Sequence, residues 1–236
     1  MNYAAKDARY ISSFINSSGV PQENITCLTN KNATRSDIID TLMELKMATT
    51  ESSETAIFYF SGHGAPIIKD GEIVDAALVP YDASEDGVEY TGIRISRLKE
   101  ILSDTHGNWI VILDACFSGK KGRSLMAKDV KSIAVVPKDY NVAPDKSGKS
   151  YWLTSTSGDN FANSFDKKQH GLFTYYFLQA LNGARGADRN EDGLITLDEA
   201  FTWTKDKVST ISKKSLGRPQ YPEMTGQGDL ILTVPQ

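Results

Sequence analysis

The chain has 236 residues, 40% hydrophobic and 24% charged, with 26 Lys and Arg against 30 Asp and Glu and a net charge of −4. That describes a folded globular chain with a sizeable core and excludes collagen, coiled coil and global disorder. No apolar run reaches the length of a membrane span, and mild acidity argues against general nucleic-acid binding, which rests on neutralising phosphates. No basic region followed by an apolar stretch opens the chain, and two cysteines, Cys27 and Cys116, make no disulfide framework. A reducing, cytoplasmic setting is therefore expected.

In chain order, Ala4, Ala8, Ile11 and Ile15 recur at helical spacing over Asn2 to Asn16, and Gly19 and Pro21 end that helix. Ile25–Leu28 reads as a short strand, with Cys27 packed in the core. Thr34 and Asp37 give a capping-box-like start to a helix carrying Ile38, Leu42 and Leu45. Ala56–Phe60 is a continuous apolar run, as expected of a buried strand, and ends in Ser61-Gly62-His63-Gly64. Asp70-Gly71 between short apolar pairs predicts a hairpin. Leu98, Ile101 and Leu102 belong to a helix with Ser96 as its cap, and Ile110–Leu113 is a second buried strand running into Asp114-Ala115-Cys116. Residues 120–149, rich in Lys, Asp, Gly and Pro, read as a mobile loop. Strand Tyr151–Thr154, helices Leu172–Leu181 and Leu197–Ile211, and strand Leu230–Val234 complete the pattern. Alternating strands and helices with doubly apolar central strands predict one α/β domain with a mostly parallel sheet.

Ligand sites in such sheets form beyond the carboxyl ends of the strands. Two apolar strands end there in reactive residues, His63 between two glycines and Cys116 before Phe117-Ser118-Gly119. A thiol beside an imidazole can ionise and attack a carbonyl, and the imidazolium can protonate the leaving amine. Asp114 lies two residues before Cys116, on the same side of its strand. A carboxylate there is costly unless a cation meets it, or unless it holds neighbouring N–H groups.

FYFSGHG and ILDACFSG resemble the histidine and cysteine motifs of the caspase-like cysteine peptidases, the group of caspases, metacaspases and paracaspases. Their separation of about 50 residues agrees with caspase spacing. NATRSDIIDTL, AALVPYD, HGLFTYYFLQALNG and RPQYP followed by a strand resemble prokaryotic members, so the likeness runs along essentially the whole chain. The resemblance implies a three-layer α/β/α sandwich and a cysteine endopeptidase. Cys116 would be the nucleophile, His63 the general acid/base, and the N–H groups of Gly64 and Cys116 the oxyanion holders, with no third triad member and no cofactor required. The metacaspase pattern implies that Ser61 and Asp114 line the pocket for the residue before the cleaved bond, with Arg or Lys preferred there, in a protein or peptide substrate. Family members begin with an apolar strand, whereas here Met1 stands almost inside the following helix, with Asp7-Ala8 as its Asp-Ala pair. A preceding segment or partner domain supplying that strand is one expectation, and an upstream targeting signal would be lost with it. A truncated or non-catalytic caspase-fold binding module, calcium-responsive or not, is the alternative.

Residues 188–199 match the calcium loop D-x-N-x-D-G-x-I-x-x-x-E. Side chains of Asp188, Asn190, Asp192 and Glu199 would ligate, with the carbonyl of Leu194 and with Gly193 making the turn. The expected metal is structural calcium; the other reading is a connector between two helices.

Overall fold

A computed structural model describes residues 3–103, 105–117, 149–157, 160–226 and 230–233. The elements are α1 (Ala4–Ser17), α2 (Arg35–Ala48), β1 (Thr55–Lys69), β2 (Glu72–Val79), α3 (Val88–Thr91), β3 (Ile93–Arg94), α4 (Ile95–Leu102), β4 (Asn108–Cys116), β5 (Ser150–Thr154), β6 (Ser164–Phe165), β7 (His170–Gly171), α5 (Leu172–Leu181), β8 (Ile195–Thr196), α6 (Leu197–Ser215), β9 (Glu223–Thr225) and β10 (Ile231–Thr233). Apart from Lys149, the loop expected at 120–149 lies outside the described residues.

The main sheet has the order β3-β2-β1-β4-β5-β9. Its centre, β1-β4-β5, is parallel, and the flanking pairs are antiparallel. Side chains alternate across β4, so each face builds its own core. Trp109, Val111 and Leu113 pack with Ile38 and Leu42 of α2 and Leu98 and Ile101 of α4. Ile110 and Ile112 pack with Phe173 and Phe177 of α5 and Phe201 and Val208 of α6, with Phe14 of α1 against them. This is the three-layer α/β/α sandwich, and the burial of both faces explains the uninterrupted apolar runs.

Local signals act where expected. The Thr34 hydroxyl accepts from the Asp37 N–H and caps α2. Asp70 and Gly71 turn the β1–β2 hairpin with φ of 53° and 82°, the geometry that favours an Asp-Gly pair.

Three local expectations are corrected. Ile25–Leu28 forms no strand: the backbone is extended at Ile25 and Thr29, but no ladder partner lies beside it among the described residues. Cys27 is consequently exposed rather than packed in the core. Ser96 does not cap α4, whose N-cap is Arg94; the Ser96 hydroxyl and N–H both bond the Asp75 carboxylate, at 2.5 and 3.4 Å. The expected closing strand is present as β10, which pairs with β8 in a separate small sheet, and the strand expected after Arg218-Pro219-Gln220-Tyr221-Pro222 is β9, at the edge of the main sheet.

β1 serves two neighbours in succession. Thr55–His63 pairs with β4, and His63–Lys69 pairs with β2. Along residues 55–62 the edge away from β4 therefore carries no ladder among the described residues. Ile57, Phe58, Tyr59 and Phe60 are only partly buried there, while Ile110–Leu113 alongside are buried. An apolar cavity of about 140 Å³ lies beneath α1, lined by Ile11, Phe14, Ile57, Ile110 and Ile112 among others.

Candidate active site

The parallel ladder pairs Ser61 with Asp114, Gly62 with Ala115 and His63 with Cys116. Neighbouring strands lie about 5 Å apart, so the two reactive residues stand side by side at the strands' carboxyl ends. The alternation that points Ile110 and Ile112 toward α5 carries on through Asp114 and Cys116, and on β1 through Tyr59, Ser61 and His63. Of the five candidate positions, all but Gly64 thus share one side of the sheet. His63 is exposed and Cys116 half-buried, so both are reachable from solvent. The thiol donates to the backbone carbonyl of Asn160 at 3.6 Å. Gly64 faces the other side, where an added Cβ would come within 2.5 Å of the Phe117 ring; only glycine lets β1 pass so close to the residue after Cys116.

Asp114 is fully buried. Its Oδ2 accepts a 2.7 Å bond from the Thr174 hydroxyl, which in turn accepts from Tyr59 O–H at 2.7 Å. Its Oδ1 and the buried Oγ of Ser61 across the ladder make no hydrogen bond of ordinary length and angle, although Ser155 is near enough to Asp114, and Ser61 to Tyr59, to lower their pKa values. Burial raises the Asp114 carboxyl to about 6; bonds from Thr174 pull it down and the nearby Asp7 carboxylate pushes it up. The same burial, with Asp114 and Asp7 adding, holds the Tyr59 phenol well above its ordinary range.

The structure adds two residues that sequence reasoning did not nominate. Asp7, in the first turn of α1, is fully buried, and its Oδ2 accepts from the Gly171 N–H at 2.8 Å. Its Oδ1 lies 2.6 Å from His170 Nδ1. Burial raises Asp7 to about 7. Both acids crowd Gly171: an added Cβ there would lie 2.6 Å from Asp114 Oδ2 and 3.1 Å from Asp7 Oδ2. Two carboxylates from elements more than a hundred residues apart in sequence thus converge on the entry to α5. The available signals were an acid on the apolar helix α1 and a His-Gly pair directly before α5.

The 188–199 loop opens seven residues after α5 ends, and its last residues begin β8 and α6. Asp188 Oδ2 accepts from Gly193 N–H, Asn190 Oδ1 from Asp192 N–H, and Asp192 Oδ1 from Leu194 N–H. Glu199 completes a capping box with Thr196 and also accepts from the N–H groups of Arg189 and Asn190, which lowers its pKa despite partial desolvation. Asp188 Oδ1 is buried without a partner. Among the described residues no group of three or more His, Cys, Asp or Glu side chains is gathered as a metal cage.

The fold and site define an α/β/α protein with a thiol and an imidazole paired at the carboxyl edge of a parallel sheet. The chain belongs to the caspase domain family (Peptidase_C14), a family of cysteine peptidases, whose model matches residues 1–228. Among solved structures it is similar to protein GSU0716 from Geobacter sulfurreducens, with 14% identity and a TM-score of 0.63 over 100% of this chain and 91% of that one. It is also similar to caspase-1 from Spodoptera frugiperda, with 13% identity and a TM-score of 0.57 over 98% of this chain and 80% of that one. At these identities the likeness speaks for the fold. No curated protein sequence matches the chain. Among the described residues no helix is long and apolar enough to cross a membrane.

Proposed function

We propose that the protein is a cysteine endopeptidase that cleaves after Arg or Lys through Cys116 and His63. The carrying observation is the in-register pairing of His63 with Cys116 beside the Ser61–Asp114 pair. His63 takes the thiol proton, the thiolate attacks the carbonyl carbon, and the N–H groups of Gly64 and Cys116 hold the developing oxyanion. The imidazolium then protonates the leaving amine, and water, activated by the same imidazole, hydrolyses the thioester. No cofactor takes part in these steps.

Specificity follows from charge. Asp114 and Asp7 are buried together, and among the described residues the one basic group bonded to either is His170. Such a pair is costly when empty and is matched by an ammonium or guanidinium whose donors reach Asp114 Oδ1 and Ser61 Oγ, neither of which makes a hydrogen bond of ordinary length and angle. The test is cleavage of fluorogenic peptides with Arg, Lys or Asp before the reporter, together with an active-site-directed thiol probe. Turnover of the basic peptides that is lost in Cys116→Ala and His63→Ala supports the reading. Equal cleavage after Asp, or labelling of Cys27 as fast as Cys116, refutes it.

The half-open edge of β1 favours a second reading, a caspase-fold binding module that takes up a strand from a preceding segment or a partner. A thiol probe that ignores Cys116 would select this module. The partnerless Asp188 Oδ1 supports structural calcium in the 188–199 loop, with Asp188, Asn190, Asp192, Glu199 and the Leu194 carbonyl as its oxygen ligands. A half-buried catalytic thiol suits a reducing compartment, and we assign the protein to the cytoplasm.

A further inference from the structure

We propose that His170 is a positioning residue of the specificity pocket: it fixes Asp7 and shares with it the proton that leaves when a basic substrate side chain enters. The inference rests on the basic-residue pocket above and says how its Asp7 side is kept neutral when empty.

The geometry is specific. His170 and Gly171 form β7, pinned to Ser164 and Phe165 of β6, so the imidazole and the Gly171 N–H approach Asp7 from one rigid element. The imidazole Nδ1 meets Asp7 Oδ1 at 2.6 Å, and the Gly171 N–H meets Oδ2 at 2.8 Å. Asp7 is thus held at both oxygens, with its carboxyl plane set beside Asp114. Tyr10 packs edge-on against the imidazole at 4.8 Å between ring centres, which leaves the ring little freedom. The His170 side chain is 8% exposed.

The charge around the pair is also defined. From α1 come Lys6 and Tyr10, from β1 Tyr59, from β4 Asp114, and from α5 Tyr175, over whose ring the Lys168 amine sits. Lys6 points outward, toward Gln169 Oε1 at 3.4 Å. Burial disfavours charge on both partners, raising Asp7 to about 7 and lowering His170, with Lys6 adding to the latter. The 2.6 Å contact therefore holds one proton, on nitrogen or on oxygen, and the pair is neutral in either form. When a guanidinium or ammonium enters, that proton departs to solvent, Asp7 becomes a free carboxylate beside neutral His170, and the charge gained balances the charge lost. Basic side chains accordingly bind more tightly as pH rises through neutrality, because fewer pockets then hold the proton.

The experiment uses Cys116→Ala protein and benzamidine, an aromatic cation that mimics the arginine head group. Titration calorimetry at pH 6.5 in two buffers of different ionisation enthalpy counts the protons released. The expected count approaches one, and neutral benzamide should release none. His170→Asn keeps an N–H donor toward Asp7 but cannot titrate. It leaves Asp7 to carry the proton alone, so affinity should stay within a few-fold while the pH midpoint of proton release shifts by about one unit, and Asp7→Asn should abolish the release. His170→Leu should weaken binding at least tenfold. An unchanged pH midpoint of proton release in a folded His170→Asn protein overturns the role of His170 and leaves the pocket standing. Failure of benzamidine to bind wild-type pockets, together with no cleavage after Arg or Lys, overturns the pocket and this inference with it.

Discussion

Asp114→Asn separates the function of the pocket from its cost to the fold. Asp114 is fully buried, and its carboxyl is raised from 3.8 to about 6, chiefly by desolvation. An acid whose folded pKa exceeds its unfolded value binds more protons folded than unfolded between the two, so stability falls as pH rises through that window. Two pK units correspond to about 3 kcal/mol, absent below pH 4 and fully felt above pH 6. Asparagine keeps the shape and can still accept from the Thr174 hydroxyl, while its amide faces the Ser61 Oγ. The variant should match wild type at pH 4 and exceed it by about 2–3 kcal/mol at pH 8, read from urea denaturation with unchanged slope. Under the proposed function the same change removes the charge that a basic substrate would meet. Loss of one partner of a buried ion pair costs about 2–5 kcal/mol, so kcat/KM for Arg peptides should fall by a factor of at least about 30, with thiol labelling of Cys116 little altered. A variant no more stable than wild type at pH 8 would show that Asp114 is not a strained acid, and one equally active on Arg peptides would show that it is not the pocket acid.

Gly171→Ala should destabilise the protein by about 1–3 kcal/mol, measured by thermal or urea unfolding, because the new Cβ overpacks the two carboxylates. Asp114→Asn in the same chain should relieve little of this if the contact is steric. Calcium at millimolar concentration should raise the melting temperature of wild type but not of Asp188→Ala; Asp188→Ala removes the partnerless oxygen without touching the Thr196–Glu199 capping box. Equal shifts in both proteins would assign calcium elsewhere. Lys120, Lys121, Arg123, Lys128, Lys131, Lys138, Lys146 and Lys149 follow the nucleophile along the chain and supply the residues the pocket should accept. Purified wild type should be cut after one of them and Cys116→Ala should not, as fragment termini would show; identical fragments from both proteins would point to a foreign protease.

Much of the fold was legible because its signals are local. Apolar runs of β-forming residues marked β1, β4 and β5; helical periodicity marked α1, α2, α5 and α6; Asp70-Gly71 marked the hairpin. The candidate dyad was legible for the same reason, since each member closes an apolar strand with small residues around it. Ile25–Leu28 misled because an apolar, extended segment is only half of a strand, and the other half is a partner's hydrogen bonds. Ser96 misled because Asp75, 21 residues away in sequence, bonds its hydroxyl better than the helix end does.

The sequence by itself determined the layers and the two strand ends at which the candidate residues stand, because periodicity and turn chemistry are written in neighbouring residues. Only the tertiary structure decided which groups surround them. That His63 pairs with Cys116 and Ser61 with Asp114 depends on the register of two strands far apart along the chain. That Asp7 meets His170, and both acids meet at Gly171, depends on α1 and α5 packing on the same face of the sheet. Burial and unpaired charge exist only once those elements close together, so the electrostatics of the pocket has no signature in any local stretch of sequence.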